Sequence, residues 1–212
     1  MKDIPIFTTK YGTASLSLRE IPYQQTAYVR ILATDRLTEL LEKCVGFCRA
    51  AGAERVFAAD HSGLQEYPLY TSIIRMRCLK EQLGDTDAAL FPVQQNTLDN
   101  WLRIYRDKVR HVPNGAWMTD VDGQKMLADG SGYFIHRGEA LLGIGKVGQN
   151  SIEFLASTSP GAGAQVVKAL SHAVFTEDIL LDVASANQKA VRLYESLGFI
   201  AVQELSQWYK IF

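Results

Sequence analysis

Asn187 and Tyr194 lie seven residues apart in the stretch LDVASANQKAVRLYESLGF, residues 181–199. Seven residues are about two turns of an α-helix, so an amide and a phenol fall on one side of it. Such a pair supplies the parts of a site that must deliver a proton to a reacting atom. Each residue has a plain structural alternative. Asn is a preferred helix cap, and Ala190, Val191, Tyr194 and Leu197 have the spacing of a buried helix face. Upstream, IEFLAST followed by SPGAGA reads as strand, Gly-containing turn and helix. The first turn of a helix presents unpaired N–H groups and the positive end of the macrodipole. Gly161 and Gly163 carry no side chain, so a phosphate can approach the backbone there. Gly-rich turns of this kind also arise for packing alone. A nucleotide P-loop needs Lys and Ser/Thr after its last Gly, but Ala164 and Gln165 follow Gly163. A dinucleotide-binding turn follows the first strand, with an acid ending the next. Here the Gly run follows a hairpin, and Asp182 lies inside its strand.

The elements that position these groups can be read from periodicity. ASLSLREI and TAYVRILA alternate as strands do, and Leu37, Leu40, Leu41, Cys44, Val45 and Cys48 recur at helical spacing. Thr34 or Asp35 is expected to cap that helix and Gly52 to close it. RVFAA and YTSIIRMRCL read as strands, and the polar stretch KEQLGDTD, residues 80–87, as a boundary. This divides the chain into 1–85 and 86–212. After the boundary come a short strand with Pro92 and a helix bearing Leu98, Trp101, Leu102, Tyr105 and Val109, capped by Asn96 or Thr97. A second helix over residues 121–128, a hairpin turning at Arg137-Gly138 and the strand IEFLAST follow. Beyond the Gly turn are a helix, the strand DILLDVAS, the helix from Asn187 to Leu197, and FIAVQ and QWYKIF, expected as a closing hairpin.

The 212 residues are 47% hydrophobic and 21% charged, with formal net charge −1. This is the composition of a soluble globular protein, and it offers no electrostatic basis for binding nucleic acid or an anionic membrane. No apolar run approaches the roughly 20 residues that span a bilayer. The opening MKDIPIFTTKYG has an early acid and no long apolar run, so no secretory signal is expected. Three cysteines, Cys44, Cys48 and Cys78, point to reduced thiols and a cytoplasmic protein. Cys44 and Cys48 share a helix face as small core residues, and His61, His111, His136 and His172 are scattered, so no metal is expected.

Residues from about 88 to 212 resemble the GCN5-related N-acetyltransferase superfamily. TSPGAG, residues 158–163, stands where that family has its Arg/Gln-x-x-Gly-x-Gly/Ala pyrophosphate loop. NQKAVRLYESLGF, residues 187–199, matches the family's Asn-x-x-Ala-x-x-Leu-Tyr-x-x-x-Gly-Phe pattern throughout. The resemblance implies a central mixed, mostly antiparallel sheet flanked by helices, with acetyl-coenzyme A or a related acyl-CoA as cosubstrate. It implies direct attack by an amine in a ternary complex. Main-chain groups of Leu155, Ala156 and Ser157 would pair with pantetheine, and the amides of Gly161, Ala162, Gly163 and Ala164 would hold the pyrophosphate. Pro160 has no N–H to offer. Asn187 would hydrogen-bond the pantetheine arm as well as cap its helix. Thr158 departs from the family's Arg/Gln, and a hydroxyl is a weaker phosphate partner than a guanidinium.

The chemistry requires a neutral amine and protonation of a leaving thiolate. A phenol with pKa near 10 can donate to a thiolate whose acid has pKa near 8.5 at modest cost, which makes Tyr194 the candidate acid. Glu153, early on the strand into the Gly turn, is the candidate base acting through water, and is equally readable as a solvated or salt-bridged strand residue. Asp120, Asp122 and His136 are weaker options. Orientation of two bound reactants can itself supply roughly 7–11 kcal/mol. Residues 1–85 loosely echo the strand-helix-strand core of the rest, as a degenerate half-acetyltransferase fused ahead of an intact one. They lack the Gly loop and the Asn-to-Gly-Phe motif, so they are not expected to bind coenzyme A. The acceptor, a small-molecule or protein amine, is not readable, though Trp117, Met118 and Asp120 fall where family helices shape acceptor pockets. Oligomeric state is open. The alternative to catalysis is a non-catalytic module for acyl-CoA sensing or protein interaction.

Overall fold

The computed structural model describes residues 5–212, and Met1–Ile4, the start of the segment read as lacking a secretory signal, lie outside it. The described residues divide into two compact units, 5–73 with 205–212, and 74–204.

In the first unit, β1 (Ile6–Thr9) and β2 (Gly12–Ser17) form an antiparallel hairpin, extended antiparallel by β3 (Thr26–Thr34) after a short helix α1 (Ile21–Gln24). β1 and α1 were not anticipated, because each is only four residues and too short for a period to register. Helix α2 (Leu37–Ala50) crosses from β3 to β4 (Arg55–Ala59), which pairs parallel to β3. α2 buries Leu40, Leu41, Cys44 and Cys48 against Leu16, Val29, Ile31 and Val56. Gly52, at φ +98°, turns the chain out of α2 as expected. The expected N-cap fails: Arg36 occupies that position without a side-chain hydrogen bond, and Thr34 Oγ1 instead accepts from the Arg36 amide.

The second unit carries the two motifs. β5 (Leu69–Leu79) runs into it, followed by β6 (Ala89–Pro92), α3 (Leu98–Val109) and α4 (Asp120–Ala128). The remaining elements are β7 (Gly132–Arg137), β8 (Ala140–Val147), β9 (Ile152–Ser157), α5 (Gly163–Ser171), β10 (Asp178–Ala184), α6 (Gln188–Ser196) and β11 (Ile200–Lys210). β6, β7, β8 and β9 make an antiparallel meander, and β10, β5 and β11 lie side by side with β5 in the middle. One core cluster underlies both groups of strands: Ile135, Leu142 and Ile152 meet Met76, Ile179, Leu181 and Val183 beneath α5. A second, on the other face of the meander, joins Trp101, Tyr105 and Trp117 to Phe134, Ile144 and Phe154.

The expected closing hairpin does not form. β11 is one strand of 11 residues, and its neighbour within this unit is β5. Residues 203–206, Gln-Glu-Leu-Ser, contain no Gly, Pro, Asn or Asp to reverse the chain. The unit is thus a mixed, mostly antiparallel sheet flanked by helices.

Candidate functional site

The site begins where β9 and β10 part. They touch through a single parallel bridge, Ser151 to Leu180, reinforced by the Leu180 amide donating to the Asn150 carbonyl at 2.9 Å. Beyond that point no ladder joins them. The Thr158 amide donates to the Leu142 carbonyl at 2.9 Å, so Thr158 faces β8. Backbone groups alternate sides along an antiparallel strand, so Ala156 faces β8 too, in register with Ile144. Leu155 and Ser157 therefore aim their N–H and C=O groups into the gap. By the same alternation from Leu180, Asp182 lines the opposite bank with its main chain. Of the three residues expected to bind through their backbones, two face the gap and Ala156 is engaged with β8.

The gap leads to the Gly turn. α5 starts at Gly163, and its first internal bond closes from the Val166 amide to the Ala162 carbonyl at 3.0 Å. The amides of Gly163 and Ala164 are thus left without a helical acceptor. The Ala162 amide instead donates to the Ser159 carbonyl at 3.3 Å, a long bond within the turn. Gly161, at φ +77°, makes the bend that a side chain would strain. The turn is anchored to β8: the Thr158 and Ser159 hydroxyls both donate to the Leu141 carbonyl, at 2.7 and 3.1 Å. The Thr158 hydroxyl is therefore spent on the frame of the loop.

Two further glycines let α5 approach the sheet. A Cβ on Gly143 would stand 2.5 Å from the Ala156 carbonyl oxygen and 2.7 Å from Val166; one on Gly145 would stand 2.3 Å from Leu170. Gly163 does the same toward α6, where a Cβ would meet Leu193 at 2.8 Å. The bare start of α5 thus brings the loop and the helix of Asn187 and Tyr194 together. Asn187 caps α6, its Oδ1 accepting from the Ala190 amide at 3.3 Å. Tyr194 is 9% exposed, in the cluster with Val166, Leu170 and Leu181, its ring 5.8 Å from that of Phe199. Its hydroxyl has no hydrogen-bond partner among the described residues. Burial pushes the phenol up to about 12. Relative to a thiol near 8.5, full proton transfer from such a phenol is uphill by about 5 kcal/mol, so its chemistry is that of a neutral hydrogen-bond donor.

Glu153 sits at an irregularity of the ladder, where pairing steps from Phe154–Lys146 to Ile152–Val147 and passes it over. Its carboxylate forms an ion pair with Lys146 and is 43% exposed. At about 3.3 Å per residue it lies roughly 13 Å below Ser157, near the closed end of the gap where Ser151 bridges to Leu180. On β10 and β5, Asp182 accepts a bidentate pair from Arg75 at 2.8 and 2.9 Å. Asp120 pairs with Arg106 at 2.6 Å, Asp122 completes the capping box of α4 with Thr119, and His136 packs edge-on against Phe91. No group of residues able to hold a metal is present among the described residues, and none of their helices is long and apolar enough to cross a membrane.

One cluster escaped the sequence reading. Arg103, Arg106 and Arg110 gather on the outer face of α3 beside Trp117 around an open cleft of about 420 Å³. Their spacing of three and four was the available signal.

Residues 157–209, from the end of β9 through α5, β10 and α6 to β11, match the family model described as FR47-like protein. No curated protein matches the chain by sequence. Several solved structures share its fold. A conserved protein of unknown function from Staphylococcus epidermidis is 12% identical with a TM-score of 0.62, covering 99% of this chain and 94% of its own. A GCN5-related N-acetyltransferase from Sphaerobacter thermophilus is 12% identical, TM-score 0.58, over 94% of this chain and 76% of its own. An acetyltransferase of the same family from Colwellia psychrerythraea is 9% identical, TM-score 0.53, over 96% and 84%. The chain has the GCN5-related N-acetyltransferase fold. Within that fold the FR47-like match covers both motifs first read from the sequence.

Proposed function

We propose that this protein transfers an acyl group from acetyl-CoA to an amine by direct attack in a ternary complex. The observation that carries the proposal is the unpaired edge of β9, which opens beside β10 and ends at a loop of free amides. Leu155 and Ser157 can pair with the two amides of pantetheine, while Gly161, Gly163 and Ala164 face the pyrophosphate. An extended arm running back along β9 reaches the level of Glu153 with its thioester. The amine nitrogen attacks the carbonyl carbon, the C–S bond breaks, and the amine's proton passes through water to Glu153. Tyr194 donates a hydrogen bond to the departing sulfur, which takes its final proton from solvent.

Acetyl-CoA that binds the folded state raises the melting temperature by linkage. No shift at millimolar ligand sinks the donor assignment. With binding established, turnover on an amine panel separates catalysis from acyl-CoA sensing. The second reading draws support from Thr158, whose hydroxyl is tied to Leu141 where the family places a phosphate-binding side chain. Binding without turnover on any amine would favour it.

A further inference from the structure

The cleft on α3 differs in character from the donor site. Its walls are Arg103, Arg106, Arg110 and Trp117, with Asp99 and Asp107 at the rim. The charges are not equally available. Arg106 is committed: its Nε donates to the Met118 carbonyl at 3.0 Å and its Nη2 to Asp120 at 2.6 Å. Asp107 has Lys108 3.8 Å away. Arg103 donates only to the neutral Asn100 side chain, at 2.8 Å. Arg110 lies over the Trp117 ring, 5.4 Å from its centre, and has no carboxylate partner among the described residues. Two guanidinium groups thus face the cleft against one uncommitted carboxylate, Asp99.

Trp117 is 5% exposed and is shared between two environments. The guanidinium groups of Arg106 and Arg110 lie 5.7 and 5.4 Å from its ring centre. The residue also belongs to the cluster that includes Phe154 and Ala156 of β9. The cleft is therefore joined through one packed layer to the strand along which the thioester would lie. A planar fork of N–H donors held against an aromatic face is suited to a carboxylate or phosphate, which it can grip with two parallel bonds.

We propose that this cleft binds an oxyanion, carboxylate or phosphate, held by Arg103 and Arg110 over Trp117, and that the acceptor amine carries that group. The second clause rests on the acyltransferase reading; the first does not. The direct test follows quenching of tryptophan fluorescence at low ionic strength with inorganic phosphate and, separately, glutarate, using Trp117→Phe as control. The proposal expects saturable quenching by at least one anion. Which of the two binds more tightly tells phosphate from carboxylate. Arg110→Gln should weaken it tenfold or more while leaving the acetyl-CoA melting shift intact. No saturable response, or an equal response in Arg110→Gln, overturns the site. Loss of the acetyl-CoA shift in Arg110→Gln also overturns it, since the cleft would then belong to the donor. In turnover, matched amines with and without a carboxylate should differ in KM, and Arg110→Gln should remove the difference. Equal KM values for the matched amines refute the acceptor assignment. Failure of acetyl-CoA to bind the unaltered protein refutes the acyltransferase reading and leaves the anion titration standing.

Discussion

In the proposed reaction Tyr194 meets the leaving sulfur, and burial raises its phenol to about 12, so it is neutral near pH 7. Tyr194→Phe should lower acyl transfer by about 10- to 100-fold, toward the lower end of what a positioned proton donor contributes, and leave the acetyl-CoA melting shift in place. Unchanged turnover would remove the phenol from the chemistry. Its raised pKa also bears on stability. The folded state favours the protonated phenol, so the stabilisation is full below about pH 10, the ordinary value, and is lost as pH rises through about 12. Two pKa units correspond to about 2–3 kcal/mol. Chemical denaturation between pH 9 and 12 should show this decline, and Tyr194→Phe should flatten part of it. Burial likewise raises the thiols of Cys44 and Cys48, to about 12 and 11, with the Cys48 thiol adding to the shift of Cys44. The thiolate is the reactive form. Both should resist iodoacetamide at pH 8 in the folded protein and react once it is unfolded in guanidinium, as read by intact mass.

At the scale of elements, the helix–strand contacts turn on bare backbone. Gly145→Ala should cost about 1–3 kcal/mol, since the new Cβ would overlap Leu170 from the facing helix. Gly143→Ala presses on the Ala156 carbonyl, so it should also disturb β9 and weaken the acetyl-CoA melting shift more than Gly145→Ala does. An equal shift in both variants would separate β8 packing from the donor site. These positions also show what the sequence can carry. Asn187 as cap, the Gly turn and the strand-helix order were legible because each is written locally, in period, capping chemistry and turn residues. The parting of β9 from β10 was not, because nothing in either strand's own composition records which neighbour it lacks. Ala156 facing β8, and Thr158 bonded to Leu141, depend on a ladder set by the turn between β8 and β9. The arginine cleft was written at helical spacing, but its meaning needed Trp117, which reaches it through a turn without periodicity.

For the molecule as a whole, the informative feature is β5. It ends before residue 80, yet it lies between β10 and β11 and contributes Met76 and Cys78 to the core beneath the proposed donor site. A fragment beginning at residue 86, the boundary suggested by the polar stretch, would leave β10 and β11 without the strand between them. It should fail to melt cooperatively and should give no acetyl-CoA shift, while the full chain does both. A sharply melting fragment that binds acetyl-CoA would show β5 to be dispensable.

The same placement sets a timetable. β5 emerges from synthesis about 120 residues before β11, and at ~5–20 residues per second it waits roughly 6–24 s for its partner. Until β10 emerges, about 100 residues on, both edges of a strand rich in Ile, Met and Leu are open to any neighbouring chain, and the edge that β11 covers stays open longer. Arg75 and Arg77 are the only charges along it, and they act as its gatekeepers until Asp182 and Asp178 of β10 arrive to match them.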